Sequence, residues 1–228
     1  MWTYHAKTVF GEDRVSFDPR VKLSMPDLAE NQHCFPVALD AREIGDVRRM
    51  VIMADLNPIP LAVDYRPLAG APYLATRIKL DQRTPVRGAV QRADGSWLVH
   101  GGWMDAAGGG CSAPPASRVK GDWAQHLGEM RGAAWPTGPD GTARTRILIR
   151  HPMDTGFVPG IPTYNIETLS LTSSTGTVLG EMDIWASVSE DPAFTIMPRA
   201  GMGERLAIAA RDSNGRDYHA SLIVGGGL

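Results

Sequence analysis

The chain has 228 residues, of which 43% are hydrophobic and 21% charged, and its formal net charge is -2. This length allows one large domain or two domains of roughly 100 residues, and the near-neutral charge argues against nucleic acid as a partner. No run approaches the roughly 18 to 20 apolar residues that a membrane-spanning helix needs. The two cysteines, Cys34 and Cys111, lack the Cys-x-x-Cys spacing of a metal or redox site.

The first half is predicted to consist of short strands separated by turns. Residues 74–80 alternate in the period-2 pattern of a half-buried strand. Residues 84–91 and 96–103 flank an Asp94-Gly95 turn, which accepts positive φ at little cost. These two segments are therefore predicted to pair as a hairpin.

A glycine-rich segment, Asp105–Ala116, follows this hairpin and is called the arm. It carries Cys111 directly after Gly108, Gly109 and Gly110. Glycine tolerates almost any backbone conformation, so these three residues are expected to supply mobility. An exposed thiol is only a few per cent ionised near pH 7, so we expect a partner to activate it. The arm predicts a covalent carrier thiol, although a plain linker fits its composition as well.

A short helix is predicted after the arm. Ser117 can cap it, and the apolar residues that recur at helical spacing are Val119, Trp123, Leu127 and Met130. Residues 134–141 then form the strongest cluster of helix and strand breakers in the chain. The boundary between two domains is predicted in this connecting region.

The second half again predicts strands. Residues 166–171 and 178–185 are expected to form one hairpin, and residues 206–211 and 218–224 another through an Asn-Gly turn. Several short strands at this spacing indicate a β-sandwich. The predicted fold is all-β, with two sandwich domains joined by the Gly/Pro-rich arm and a short linker helix. The predicted ranges are 1–116 for the first domain, 117–140 for the linker and 141–228 for the second domain.

Several segments of the first half carry a family resemblance. They are Met25-Pro-Asp-Leu-Ala-Glu-Asn31 followed by Phe35-Pro-Val37, Asn57-Pro-Ile-Pro60, Thr76-Arg-Ile-Lys-Leu80 and Gly108-Gly-Gly-Cys111. In the second half, Arg150-His-Pro-Met-Asp-Thr-Gly156 is followed by Ile161-Pro162. The first set resembles SoxY and the second resembles SoxZ, the two subunits of the sulfur-compound carrier of bacterial thiosulfate oxidation. The chain is therefore identified as a fused SoxY–SoxZ-like protein.

The resemblance implies two immunoglobulin-like sandwiches and a non-enzymatic periplasmic carrier. Cys111 would hold a sulfur compound as a thioconjugate, without a cofactor, while partner enzymes and cytochromes act on it. Fused chains of this type are associated with quinoprotein alcohol dehydrogenase systems, so the partners are expected from sulfur oxidation or from such a dehydrogenase system. A non-catalytic assembly module for these partners is the alternative. Residues 1–7 lack the apolar region of a signal peptide, so a periplasmic location assumes that the signal has been removed.

Two features depart from the SoxY pattern. The arm is internal, and prolines replace the terminal glycines. Cys34 is a second cysteine, which is open to three interpretations: a buried apolar residue, a disulfide or redox partner of Cys111, or a second reactive thiol. Trp103, at the root of the arm, is a candidate for shielding a bound adduct. The six histidines lack metal-binding spacing, and His151 is expected to form a hydrogen bond within a turn.

Overall fold

The computed structural model describes residues 2–137 and 140–226 and is nearly all β, as predicted. The elements of the first half are α1 (Trp2–Phe10), β1 (Val15–Phe17), β2 (Lys22–Ser24), β3 (Phe35–Asp40), β4 (Val47–Ala54), β5 (Leu61–Arg66), β6 (Gly70–Ile78), β7 (Thr84–Arg92) and β8 (Trp97–Met104).

The second half begins with the short helix α2 (Ala116–Lys120) and a 3₁₀ turn at Trp123–Gln125. Its strands are β9 (Met130–Pro136), β10 (Ala143–Ile149), β11 (Ile166–Ser173), β12 (Val178–Ile184), β13 (Ala193–Pro198), β14 (Arg205–Asp212) and β15 (Asp217–Ile223).

The strands form two sheets that both run through the two halves. One has the order β1-β8-β7-β4-β5-β12-β11-β14-β15, and the other has the order β2-β3-β6-β13-β10-β9. The halves meet where β5 pairs with β12, with Asp64 opposite Asp183, and where β6 pairs with β13, with Ala75 opposite Thr195. We call this junction the seam. A single cluster of buried apolar residues extends across it, so the immunoglobulin-like halves share one core.

The local hairpins follow the sequence predictions. β7 pairs with β8, β11 with β12 and β14 with β15, all antiparallel. Within β6 the predicted alternation is observed, because Leu74, Thr76 and Ile78 are buried while Ala75 and Arg77 are less so. These segments were predictable because a two-residue turn and a period of two are local properties of the chain.

The predicted linker helix is shorter than expected. α2 ends at Lys120 because Gly121 adopts a left-handed conformation with φ of 77°. Its N-cap residue is Pro115 instead of Ser117. Met130 lies in β9, which pairs with β10, so residues 130–136 are part of the second sandwich. Gly138 and Pro139 of the breaker cluster lie outside the described residues.

The N-terminal helix α1 has no counterpart in the sequence predictions. It packs on the face of the larger sheet that points away from the main core, where Phe10 contacts Trp97 with ring centroids 4.6 Å apart. His5 Nε2 lies 2.7 Å from the carbonyl oxygen of Asp55. Across residues 2–137 and 140–226, the helices are too short or too polar to cross a bilayer.

Candidate functional site

The arm is docked against the segment that follows β6. The Gly110 amide donates to the Leu80 carbonyl at 3.1 Å, and the Gly109 amide donates to the Asp81 carbonyl at 3.3 Å. The Cys111 amide donates to Asp81 Oδ1 at 2.9 Å. The backbone around the cysteine is therefore held by direct hydrogen bonds.

The three glycines allow this close docking. Gly108 and Gly109 have φ values of +98° and +82°, which residues with side chains rarely adopt. A Cβ atom on Gly110 would lie 2.4 Å from the carbonyl oxygens of both Gln32 and Leu80. In the docked arm the glycines thus permit left-handed turns and close backbone contact. The mobility expected of them stays a prediction.

The second half holds the arm through two side chains. Thr155 Oγ1 donates to the carbonyl oxygen of Cys111 at 2.5 Å. The Glu190 carboxylate accepts the amides of Ala116 at 2.7 Å and Ser117 at 2.6 Å, at the start of α2. A carboxylate at a helix N-terminus satisfies amides that lack partners within the helix. The segment on either side of Cys111 is therefore bound to both halves of the protein.

The Cys111 thiol is buried in this docked state, with 1% of the residue exposed. Burial raises the pKa of the thiol to about 12, against the opposing effect of the Lys79 ammonium, and Asp81 raises it further. The expectation of an exposed thiol is therefore wrong for this state, because the second half covers the cysteine. A protonated, buried thiol is a poor nucleophile, so reaction requires the arm to open.

Lys79 is a buried cation whose charge acts on the Cys111 thiol, with 4% of the residue exposed. Its Nζ donates to the carbonyl oxygens of Met153 and Ala186, the latter at 2.8 Å. Burial lowers the pKa of the ammonium to about 8, an effect that Cys111, Asp154 and Glu190 partly oppose. Lys79 belongs to the SoxY-like segment Thr76–Leu80, but its role could not be predicted from the sequence.

Cys34 is half-buried, and the structure holds both Cys34 and Cys111 as free thiols. Cys34, Lys79 and Gly110 line a common cleft of about 730 Å³ at the junction of the two halves. The two cysteines are thus not bridged in this state. A redox partnership between them stays a prediction.

Trp103 lies near the end of β8, and 59% of it is exposed. The Arg83 guanidinium stacks 4.8 Å from the centre of its ring, and Arg83 also pairs with Asp105 at 2.7 Å. The Trp103 ring therefore lies exposed on the surface, just before the arm begins. Its role as a shield for an adduct stays a prediction.

His151 forms the turn hydrogen bond that the sequence predicts. The Met153 amide donates to His151 Nδ1 at 3.1 Å, and His151 Nε2 lies 3.9 Å from Asp212 Oδ2. Burial lowers the pKa of His151 to about 4, so the ring is neutral near pH 7. The neighbouring Asp154 forms an ion pair with Arg118 of α2. This part of the His-Pro-Met-Asp-Thr-Gly segment therefore acts in packing.

The sequence did not identify the residues that dock the arm. Thr155 lies in the SoxZ-like segment 150–156, which gave no sign of contact with Cys111, and Asp81 and Glu190 are single polar residues outside the quoted motifs. They meet only through the pairing of the two halves. Among the residues that the structure describes, no cluster of three or more His, Cys, Asp or Glu side chains could hold a metal ion.

Two family models match the chain, one in each half. Residues 6–111 match the family described as "Sulfur oxidation protein SoxY". Residues 134–222 match the family described as "Sulphur oxidation protein SoxZ". The first match ends at Cys111, and the second includes Thr155. No curated protein matches the chain.

Two solved structures show a loose similarity. The sulfur carrier protein SoxY from Chlorobium limicola f thiosulfatophilum is 17% identical, with a TM-score of 0.41 over 45% of this chain and 89% of that one. The fibronectin(III)-like modules of Clostridium thermocellum CbhA are 10% identical, with a TM-score of 0.29 over 89% of this chain and 94% of theirs.

Proposed function

We propose, given that this chain is a fused SoxY–SoxZ-like protein, that it carries a sulfur-containing intermediate covalently on Cys111 and presents it to partner enzymes. Its SoxY and SoxZ regions support a carrier role in sulfur oxidation. In this proposal the chemistry of oxidation belongs to the partners, and this chain supplies attachment, protection and delivery.

The observation that carries the proposal is the position of Cys111. It is the last residue of the SoxY match, and Thr155 of the SoxZ match donates a hydrogen bond to its carbonyl oxygen. The arrangement suits a thiol that the two regions hold jointly and release together.

The carrier would alternate between two states of the arm. In the docked state the thiol, or the group attached to it, is withdrawn from water and from other thiols. In the open state the segment from Trp103 to Cys111 has a maximum reach of roughly 26 to 29 Å, which is enough to enter a partner's active site. Since the arm is tethered at both ends, its range is smaller than that of a free tail.

The proposed partners are periplasmic enzymes and cytochromes of sulfur oxidation or of a quinoprotein dehydrogenase system. A periplasmic location agrees with an SoxY–SoxZ-like chain and is part of the same proposal. Replacing Cys111 with Ser should abolish pathway activity in cells while the purified variant still binds its partners. Cys34→Ser is the matched control and should leave the activity in place.

A second candidate function is a non-catalytic assembly module for these partners. The burial of Cys111 favours it, because an inaccessible thiol with a raised pKa suits a core residue. This candidate predicts that Cys111→Ser retains full pathway activity. Loss of activity with intact partner binding would instead exclude assembly as the whole function.

A further inference from the structure

The cleft beside the arm is lined by both halves of the protein. It contains Gly110 and residues 113–117 on one side and Cys34, Arg77 and Lys79 on another. Gly110 directly precedes Cys111, whose own side chain is buried and is not part of the lining, so a group attached to the thiol has to extend past Gly110 to enter the cleft. Its volume of about 730 Å³ exceeds what a thiol alone would need.

Three residues that line this cleft carry a buried polar atom with no hydrogen-bond partner within the part of the chain that the structure describes. Two of these atoms are donors, the hydroxyl of Ser117, a residue that is only 6% exposed, and Nε of Arg77, whereas the third, Oδ1 of Asp122, is an acceptor. A second nitrogen of Arg77 donates to the carbonyl oxygen of Asp191 at 3.0 Å. Buried polar atoms are nearly always paired, and leaving one unpaired is costly. The two donors, Ser117 Oγ and Arg77 Nε, therefore favour a ligand that accepts hydrogen bonds.

The charges around the cleft also favour an acceptor. Among residues 2–137 and 140–226, the hydrogen-bond partners of Lys79 Nζ are two carbonyl oxygens, which leaves one of its three N–H groups for a ligand. Two of the lining acids are engaged, since Glu190 accepts the amides at the start of α2 and Asp191 pairs with Arg150 at 2.5 Å. Asp122 is the lining acid that disfavours binding of an anion, because its Oδ1 lacks a partner among the described residues.

We propose that this cleft is an anion subsite, in which Lys79, Arg77 and Ser117 bind the negatively charged end of a group attached to Cys111. This inference rests on the proposed carrier function and specifies its load as a small oxyanion-terminated group such as a sulfonate. The guanidinium and the hydroxyl supply donors in fixed positions, and the ammonium supplies charge.

The subsite makes docking of the arm depend on the charge of the load. An anionic group compensates the buried Lys79 ammonium, which forms no ion pair with a carboxylate in the described part of the chain. A neutral group leaves the ammonium uncompensated, and a cationic group repels it. The docked state therefore favours anionic loads, and loss of the negatively charged end of the load favours release of the arm.

Three methanethiosulfonate reagents of similar size test this dependence. They carry sulfonatoethyl, ethyl and trimethylammonioethyl groups, and each is added in urea to a Cys34→Ser background before refolding. The Cys111 thiolate forms a mixed disulfide and displaces methanesulfinate, so no external oxidant is required. Mass spectrometry verifies the adduct at Cys111. Hydrogen exchange of residues 106–113 then reports whether the arm is docked.

The sulfonatoethyl adduct should exchange about tenfold more slowly than the trimethylammonioethyl adduct, with the ethyl adduct between them. Lys79→Met should remove most of this difference, and Lys79→Arg should retain it. Ser117→Ala, which removes only the unpaired hydroxyl, should reduce the protection of the anionic adduct from hydrogen exchange. This variant tests the subsite even if Lys79→Met does not fold. Equal exchange of all three adducts would overturn the subsite, as would unchanged discrimination in both Lys79→Met and Ser117→Ala.

The adduct experiment is independent of the physiological load. If Cys111→Ser leaves pathway activity intact, the carrier function fails, whereas the charge dependence of the three adducts can still be read. If native sulfur adducts occur on Cys111 but docking ignores charge, the carrier function stands and the subsite fails.

Discussion

The hydroxyl of Thr155 donates a hydrogen bond of 2.5 Å to the carbonyl oxygen of Cys111. This contact joins the SoxZ-like region to the last residue of the SoxY-like region. It lies near the Asp81 carboxylate, which accepts the Cys111 amide from the other half. Both regions therefore hold the docked arm through hydrogen bonds to a single residue, Cys111.

Removing the Thr155 hydroxyl should open the arm more often. Thr155→Val keeps the shape of the side chain and loses a hydrogen bond worth about 1 kcal/mol, which corresponds to roughly fivefold more open arm. Alkylation of Cys111 with iodoacetamide, followed by peptide mass spectrometry, should accelerate by this factor. Because Cys34 lines the same cleft as Gly110, the two rates are compared in a Cys34→Ser background, with alkylation of the urea-unfolded proteins as the control. Equal Cys111 rates in the two proteins would contradict the role of this contact.

Gly110 should be the arm glycine whose replacement most directly prevents docking. Its Cβ would meet two backbone carbonyl oxygens at 2.4 Å, so Gly110→Ala should lower the free energy of unfolding by roughly 1–3 kcal/mol and expose Cys111 to alkylation. Gly45→Ala is the control, because a Cβ there meets no atom within 4 Å. If Gly110 served mobility alone, Cys111 would be alkylated no faster in Gly110→Ala than in wild type.

Stability should fall in acid because His151 is buried as the neutral ring. Its folded pKa of about 4 lies below the ordinary value of 6.5, so the unfolded chain binds the proton first as the pH falls. The contribution to stability is present above pH 6.5 and is lost progressively towards pH 4, by about 3 kcal/mol in total. Asp212 opposes the shift, while Arg118 and Lys79 add to it.

Urea denaturation of wild type and His151→Asn between pH 7 and pH 4 isolates this effect from the titration of carboxylates. The Asn side-chain carbonyl can accept the Met153 amide in place of Nδ1. The variant should lose less stability than wild type over this range. Parallel curves for the two proteins would show that His151 does not carry the acid sensitivity.

The two halves should unfold together. Both sheets and the apolar core continue across the seam, so separation would expose four strand edges and apolar surface at once. Calorimetry should give one transition with equal calorimetric and van't Hoff enthalpies. Two resolved transitions, each assigned to one half by hydrogen exchange, would contradict a shared core.

The sequence predicted what depends on local structure. The Asp94-Gly95 and Asn214-Gly215 turns identified their hairpins because the residues of a turn determine its geometry. The pairing of β5 with β12 and of β6 with β13 has no such signal, since it joins segments more than a hundred residues apart. The seam was therefore not predicted, nor was the burial of Lys79 that depends on it.

The arm shows a second limit of sequence analysis. A run of glycines is equally suited to a mobile segment and to a segment packed closely against other backbone. Gly110 belongs to the second class in the docked state, and only the positions of Gln32 and Leu80 distinguish the two. Cys111 itself was identified from the sequence, but the residues that hold it were not.

The carrier function is tested most directly by mass spectrometry of the native protein, isolated without reductant from cells that oxidise sulfur compounds or express its partners. The account predicts a mass increase on the Cys111 peptide that corresponds to sulfane sulfur or a sulfur oxyanion and that disappears on reduction. Cys111 that remains an unmodified thiol under all these conditions would contradict the account.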